Sequence, residues 1–336
     1  MAPKTPLITV LGSLNIDLVS YVSHHPLPGE TMTSNSFAVS PGGKGANQAV
    51  ACAKLSRSRS RDITNPATMN ETAHIRMIGA VGADSYGSLL TSNLAAHGVD
   101  VTGVSAPATQ KTGIALIIVD EPTGQNRIIL SPEANHSLRP DDFATSLPGP
   151  RPDLLIMQLE IPLPTVLAAL RAAREASIPV LLNPAPAQPL PDDAYDGLAH
   201  LIVNETEAAV LAGVREADLN DEAGLERVGR IFLDRSVRNV IVTLGGRGVF
   251  YMSRSGDSGE VKKGLVSAEK ATVVDTTAAG DTFVGQYALD IVGASGPTGS
   301  ASPLDIETAV RRANRAAART VEKLGAQDSI PWRDEL

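Results

Sequence analysis

Six short runs of apolar, largely aliphatic residues, at 7–11, 75–81, 154–158, 180–183, 201–203 and 240–244, constrain this chain more than any other feature. Each is too short for a buried helix and lacks the alternation of a strand with one wet face. Each therefore reads as a strand covered on both sides. Helix-period stretches lie between them: 86–97, closed by Gly98; 165–176, which follows Pro164; and 222–233, with Leu225, Val228, Ile231 and Phe232 along one stripe. Strand, helix, strand with short joints makes crossover units, which places the chain in the α/β class with a mostly parallel sheet flanked by helices. Composition agrees, because 43% apolar residues with only 3% aromatics suit such a core better than an aromatic-rich sandwich.

The charge balance, 29 basic against 37 acidic side chains for a net −8, excludes bulk-charge attachment to nucleic acid or membrane. Cys52 is the single cysteine, so an intrachain disulfide and a cysteine-built zinc site are excluded and a reducing compartment fits. Without a run of about 18 apolar residues or a signal layout at 1–5, the expected location is the cytoplasm, with the nucleus also open. The C-terminal Arg333-Asp334-Glu335-Leu336 looks like a retrieval signal for the endoplasmic reticulum, but nothing in the sequence delivers the chain there.

A second texture interrupts the crossover pattern. Residues 16–39 alternate short apolar and polar side chains around Pro26, Pro28 and Gly29, and 113–119 with 127–130 reads as a hairpin across 121–125. These segments predict antiparallel strands standing apart from the main sheet, a small lid drawn from about 16–40 and 107–131. Residues 57–73 and 294–303 read as loop insertions.

Several strands end in polar or glycine-rich loops. In Asp275-Thr276-Thr277-Ala278-Ala279-Gly280-Asp281, small residues precede a helix expected from Phe283, so backbone amides and a helix N-terminus face one point. That is an anion-binding device, with Asp281 able to accept a proton, or else an ordinary capped helix. Pro41-Gly42-Gly43-Lys44-Gly45-Ala46-Asn47-Gln48 offers amides and long polar arms to a polyhydroxyl or phosphate ligand. It is not a Walker A loop, because Ala38 and Gly45 occupy the positions that need Gly and Ser or Thr. The dinucleotide fingerprint is absent too, since 12–17 reads Gly-Ser-Leu-Asn-Ile-Asp. Asn15 and Asp17, two apart, point to one side and could hold vicinal hydroxyls or make an Asx turn. Asn204 and Glu207 could hold magnesium-bound water or simply cap a helix. Thr243-Leu244-Gly245-Gly246-Arg247-Gly248 fits either backbone wrapped round a nucleotide or a plain turn. Loops at the ends of parallel strands converge on one sheet edge, so together they mark a ligand site there.

On these segments, with Met157-Gln158-Leu159-Glu160 and Asn183-Pro184-Ala185-Pro186, the chain resembles the PfkB carbohydrate kinase family over nearly its whole length. The Ala278-Ala279-Gly280-Asp281 spelling and the closing Gly325-Ala326-Gln327-Asp328-Ser329-Ile330-Pro331 are similar to the members that act on D-ribose. The resemblance implies one kinase domain over 1–336, a three-layer fold with a β-sheet lid that pairs two subunits into a homodimer, and transfer of the γ-phosphoryl group of ATP to O5 of D-ribose. It implies that Asn15, Asp17, Gly43, Lys44, Asn47 and Glu160 contact ribose, with Gly45, Ala46 and Asp281 beside them. Asp281 would be the base, with the amides of Ala278, Ala279 and Gly280 as its anion hole. Asn204, Thr243, Gly245, Gly246, Gly248 and Asn314 would line the nucleotide site, with Glu207 ordering Mg2+ through water. Asp275, Thr277, Thr320, Lys323, Gly325 and Ser329 would form a K+ loop, several of them through carbonyl groups. Another sugar or nucleoside kinase of the family, or a sugar-binding sensor without catalysis, are the competing readings.

Overall fold

A computed structural model describes residues 5–59, 71–254, 259–294 and 304–336. Most of the 57–73 insertion and of the 294–303 loop lies outside the described residues. In chain order the strands are β1 (Leu7–Leu11), β2 (Asn15–Val22), β3 (Ser36–Gly42), β4 (His74–Ala80), β5 (Asp100–Ser105), β6 (Gly113–Asp120) and β7 (Asn126–Ser131). They continue with β8 (Leu154–Met157), β9 (Val180–Leu182), β10 (His200–Asn204), β11 (Asn239–Thr243), β12 (Val249–Arg254) and β13 (Val261–Val266). The α-helices are α1 (Lys44–Ser56), α2 (Ser85–Ala96), α3 (Leu163–Glu175), α4 (Glu205–Ala212), α5 (Glu222–Asp234), α6 (Ala279–Ala294) and α7 (Ile306–Thr320). All six expected buried strands are present with slightly shifted ends.

A nine-stranded sheet runs in the order β13-β12-β11-β10-β9-β8-β1-β4-β5. From β11 to β5 every neighbouring pair is parallel, while β12 and β13 add an antiparallel edge. The chain builds outward from β1 to β5 and then returns to the other side of β1 with β8. The order therefore reverses between β1 and β8, and a crevice opens at their C-terminal ends.

Continuous apolar runs are explained by two cores, one on each face of this sheet. Ile8 and Val10 of β1 and Leu154 and Ile156 of β8 pack with Val50, Phe283, Tyr287 and Val310 from α1, α6 and α7. Leu11, Leu155 and Met157 pack on the opposite face with Val166 and Leu170 of α3 and Val228 and Phe232 of α5. Each fully buried aliphatic or aromatic side chain contributes about 2 kcal/mol relative to exposure. Helix α1 lies so close to the turn after β1 that a Cβ on Gly45 would stand 2.6 Å from the backbone nitrogen of Ser13, a contact only glycine allows.

The second sheet, in the order β3-β2-β6-β7, is built from the segments expected to form the lid. The β6–β7 hairpin is antiparallel as expected and closes between Asp120 and Gln125. The central pair, β2 with β6, is parallel, which corrects the expectation of antiparallel strands throughout. Only a short turn forces antiparallel pairing, and β2 and β6 are separated by β3, α1, β4, α2 and β5. Val39, Leu18, Leu116 and Ile129 form one row across all four strands. Of these, Val39, Leu116 and Ile129 are 45%, 41% and 60% exposed. Among the described residues no helix is long and apolar enough to cross a membrane.

Candidate active site

The chain leaves β1 at Leu11, turns, and re-emerges as β2 carrying Asn15 and Asp17 on one face, both buried. Glu160, just past β8, staples the switch point. Its Oε2 accepts from Ser13 Oγ at 2.6 Å, from the Lys44 amide at 3.1 Å and from Asn15 Nδ2 at 3.4 Å. Asn135, which was not a sequence candidate, donates through Nδ2 to Asn15 Oδ1 at 2.8 Å. It also takes both the amide and the carbonyl of Leu14, at 2.8 and 3.1 Å, so the amide of Asn15 is held in a single orientation.

Gly43 caps α1 at φ +87°, where a Cβ would approach the Asn15 nitrogen to 2.7 Å. The amides of Gly45 and Ala46 do not face an open site: they donate to Ser13 Oγ at 3.3 Å and to the Ser13 carbonyl at 2.9 Å. Both residues are buried against the β1–β2 turn. Lys44, Asn47 and Gln48 leave the first turn of α1 toward the crevice.

Helix α6 starts at Ala279, ahead of the apolar period that begins at Phe283, and Gly280 and Asp281 lie in its first turn. Asp281 is buried. Its Oδ1 accepts from Gln48 Nε2 at 2.9 Å and its Oδ2 from Asn47 Nδ2 at 3.1 Å. Ala278 sits at φ 61°, in the left-handed region, and turns the chain into the helix. The amide of Ala279 donates back to the Thr276 carbonyl at 3.3 Å, whereas the amides of Gly280 and Asp281 are first-turn donors without intrahelical acceptors.

These elements enclose a cavity of about 220 Å³ lined by Lys44, Asn204, Glu207, Thr243, Ala278, Gly280 and Asp281, with Asn183 and Thr276 added to the expected set. Asn204 and Glu207 form a reciprocal cap on α4, with the Glu207 amide donating to Asn204 Oδ1 at 2.8 Å and the Asn204 amide to Glu207 Oε2 at 2.9 Å. Capping and ligand contact are compatible here, since the cap is what fixes Glu207 at the cavity wall. Gly245, Gly246, Gly248 and Asn314 lie outside that wall. Asn314 is buried and donates to the Ser267 carbonyl at 2.8 Å. A larger cleft, about 1050 Å³, opens at the N-terminal ends of β10 and β11 around His200 and Asn239, away from all these residues. Ligand chemistry in a parallel sheet belongs at the C-terminal ends, so the smaller cavity is the candidate site.

The expected cation loop is tied together by Asp275. Its Oδ1 accepts from the Thr277 amide at 2.9 Å and from Thr277 Oγ1 at 2.6 Å, and its Oδ2 accepts from the Gly325 amide at 2.9 Å. Thr320 is buried and donates to Thr282 Oγ1 at 2.9 Å, Ser329 donates to the Ala326 carbonyl at 2.8 Å, and the Lys323 amide donates to the Thr320 carbonyl at 3.2 Å.

Charge in the cavity is unbalanced. Burial alone would push the Lys44 ammonium down, but Asp281, Glu160 and Glu207 outweigh it and hold its pKa above the ordinary value. Burial raises Glu207 against the opposing pull of the Asn204 amide and of Lys44. Asp17 is pushed up to about 7, first by burial and then by the charges of Glu160 and Asp281.

The family model described as pfkB family carbohydrate kinase matches residues 5–333. A ribokinase of Schizosaccharomyces pombe is 41% identical over 333 residues, covering 96% of this chain and 94% of its own. A ribokinase of Haemophilus influenzae is 37% identical, covering 98% and 96%. The structure of Arabidopsis thaliana ribokinase complexed with ribose and ATP superposes with a TM-score of 0.81 at 28% identity, covering 98% of this chain and 97% of that one.

The Asp17 carboxyl has no hydrogen-bond partner among the described residues, so its charge is a cost to folding. Unfolded it titrates near 3.8, folded near about 7. Across that window the folded chain keeps a proton that the unfolded chain has lost. The group's contribution to stability is therefore intact below the lower value and lost as pH rises through the upper one. Asp17→Asn is expected to raise the thermal midpoint at pH 8 by several degrees more than at pH 5. Calorimetry at the two pH values checks this, and equal shifts would contradict it.

Proposed function

The chain belongs to the pfkB family of carbohydrate kinases and phosphorylates D-ribose with ATP, and we propose that it transfers the γ-phosphoryl group to the C5 hydroxyl with Asp281 as the base. One observation carries this reading: Lys44, Gly280 and Asp281 line a single cavity, and Glu160, bonded to the Lys44 amide, joins it to Asn15.

Asn15, Asp17 and Glu160 hold the sugar. The carboxyl groups of Asp17 and Glu160 accept from hydroxyl groups, and a neutral polyol is the ligand that offers donors without adding negative charge. Lys44, with Gly43 and Asn47, orients the sugar between this group and the phosphate. Asp281 accepts the hydroxyl proton, and its fixed donors Asn47 and Gln48 leave its outward lone pairs for the substrate. Phosphoryl transfer passes through a loose transition state with charge on the equatorial oxygens, so the amides of Gly280 and its neighbours and the Lys44 ammonium stabilise it more than the base does. Asn204, Thr243, Gly245, Gly246, Gly248 and Asn314 are assigned to the nucleotide because they follow β10 and β11 or border that edge.

Among the described residues no three ligating side chains cluster into a metal cage. That fits Mg2+, which is held by one or two carboxylates together with substrate phosphates, here with Glu207 acting through water. Asp275, already bonded to Thr277 and Gly325, would shape a ring of carbonyl groups around K+, with Thr320, Lys323 and Ser329 at its rim. A monovalent cation held by these groups would help keep the loop that carries the anion-binding amides in shape. The row of Val39, Leu116 and Ile129 supports pairing of two chains through their lids, since an apolar sheet face of that kind is otherwise an aggregation hazard. A cytoplasmic or nuclear setting agrees with the single buried cysteine.

Asp281→Asn is expected to lower kcat by about a thousandfold with ribose binding retained, measured by coupled ADP release and by calorimetric titration of ribose. Equal losses in both would remove Asp281 from the role of base. Replacing K+ by Na+ or Li+ should slow turnover several-fold, and identical initial rates in the three salts would dismiss the cation loop. Sedimentation should give a dimer that Ile129→Lys converts to monomer; a wild-type monomer at assay concentration refutes the lid interface.

A further inference from the structure

Two chains of side-chain amides end on Asp281, and the reaction itself uses neither beyond its last member. In the first, Asp281 Oδ2 accepts from Asn47 Nδ2 at 3.1 Å, Asn47 Oδ1 accepts from Gln327 Nε2 at 3.0 Å, and Gln327 Oε1 accepts from Asn93 Nδ2 at 2.6 Å. In the second, Asp281 Oδ1 accepts from Gln48 Nε2 at 2.9 Å, and Gln48 Oε1 accepts from Gln158 Nε2 at 2.6 Å. Asn47, Gln48, Gln158 and Gln327 are all buried.

An ionised carboxylate offers acceptors only. It therefore decides which end of Asn47 and of Gln48 faces it. That choice leaves a carbonyl oxygen on the far side of each, which only an N–H can meet, so Gln327 and Gln158 are oriented in turn. Every amide in both chains points its donor toward Asp281. The second chain bears a cost for this order, because Gln158 Oε1 is buried and has no hydrogen-bond partner. Turning Gln158 over would set its oxygen against that of Gln48 and leave its N–H groups unpaired, so the orphan is the cheaper state once Gln48 is committed to Asp281. The first chain is anchored at the backbone. Lys54, two turns along α1 from Asn47, donates Nζ to the Gln327 carbonyl at 2.7 Å and to the Ile330 carbonyl at 3.0 Å. The reach of the Gln327 side chain to Asn47 is set by that tie.

We infer that Gln327 and Gln158 are positioning residues for phosphoryl transfer, acting through Asn47 and Gln48 to hold both oxygens of Asp281 in one orientation. The inference rests on Asp281 as the base. Lys44 from α1, Asp17 from β2 and Glu207 from α4 are the charged groups around Asp281. Neutral substitutions leave all of them in place, so a change in turnover reports geometry rather than added charge.

The test uses the full chain with saturating ribose and ATP. Gln327→Met is expected to lower kcat by about tenfold. On an Asn47→Leu background the same change should alter kcat by less than about twofold, because a residue that acts only through another adds nothing once that one is gone. The same loss on both backgrounds, or no loss on the wild type, overturns the inference. Gln158→Met should lower kcat while the thermal midpoint stays close to that of the wild type, since the unpaired oxygen of Gln158 is removed but the buried oxygen of Gln48 loses its donor in exchange. A lower midpoint with unchanged kcat marks a packing role and overturns it for that chain. Should one variant fail to fold, the other decides; should both fail, Asn93→Leu at the half-buried end of the first chain is read by the same cycle. Near-normal turnover in Asp281→Asn brings down the base assignment itself, whereas an inactive Asp281→Asn beside fully active Gln327→Met and Gln158→Met sinks this inference alone.

Discussion

The crowding of Glu160, Glu207 and Asp281 around one ammonium, that of Lys44, with Asp17 beside Glu160 and Asp281, is the constraint from which the rest of the site follows. Burial first, and then repulsion from the like charges of Glu160 and Asp281, raises the pKa of Asp17. A ligand that enters such a place must bring hydrogen-bond donors or positive charge. The hydroxyls of a neutral sugar supply the first at the Asp17 end. At the Glu207 end a phosphate needs its own charge met, and the first-turn amides of α6 together with Lys44 meet part of it. A sugar acid would add a carboxylate where four already stand, so the charge pattern favours a neutral sugar over it.

Placement of these groups comes from the switch point. Because the strand order reverses between β1 and β8, the turn carrying Ser13 and Asn15 and the loop carrying Glu160 arrive side by side from 147 residues apart in sequence. Helix α1 then presses on that turn, and only glycine at 45 lets it come close enough for the Lys44 amide to reach Glu160. The lid is tied to the same point. Strand β2 begins at Asn15, and β6 passes so near that a Cβ on Gly113 would meet Asn15 Oδ1 at 2.4 Å. The parallel β2–β6 register thus fixes the small sheet to the side chains proposed to hold the sugar, and movement of the hairpin β6–β7 would be felt first at Asn15 and Asn135.

The sheet strands, the lid segments and the charged members of the cavity were legible in the sequence because each leaves a local mark: an apolar run, an alternation, a glycine cluster beside a carboxylate. Helix α7 and strands β5, β12 and β13 left weaker ones. The buried stripe of α7 rests on small side chains, Ala309, Ala313 and Ala316, among charged ones, and β13 exposes Lys262 and Lys263, which point to opposite faces and break any apolar alternation. The apolar period of α6 begins only at Phe283, although the helix begins at Ala279, because its first turn is made of Gly280 and Asp281, which face the site rather than the core. Asn135, Gln158 and Gln327 were missed as contributors for a different reason. An amide has no charge, and its partner lies anywhere from 110 to 280 residues away, so its role exists only once the chain is folded.

Local costs in the structure also gather near this chemistry. Ala278, which delivers the first turn of α6, and Glu133, which delivers Asn135, are two of the four non-glycine residues with positive φ among the described residues. Gln158 carries an orphan oxygen and Asp17 an unpaired buried carboxyl. Three of these four would be changed by a small substitution: glycine at 278 and asparagine at 17 relieve theirs, and methionine at 158 passes the orphan to Gln48. None of the three replacements keeps the same arrangement of groups around Asp281 and the sugar, since the first loosens the amide loop, the second releases Gln48 and the third removes an acceptor. A site held at such cost is preorganised in the sense that matters for phosphoryl transfer, where little covalent work falls to the protein and the positions of dipoles and charges supply the rate. The stability withheld at these residues is therefore the physical counterpart of turnover, concentrated where the sheet order reverses and offset by the two apolar cores on either side of it.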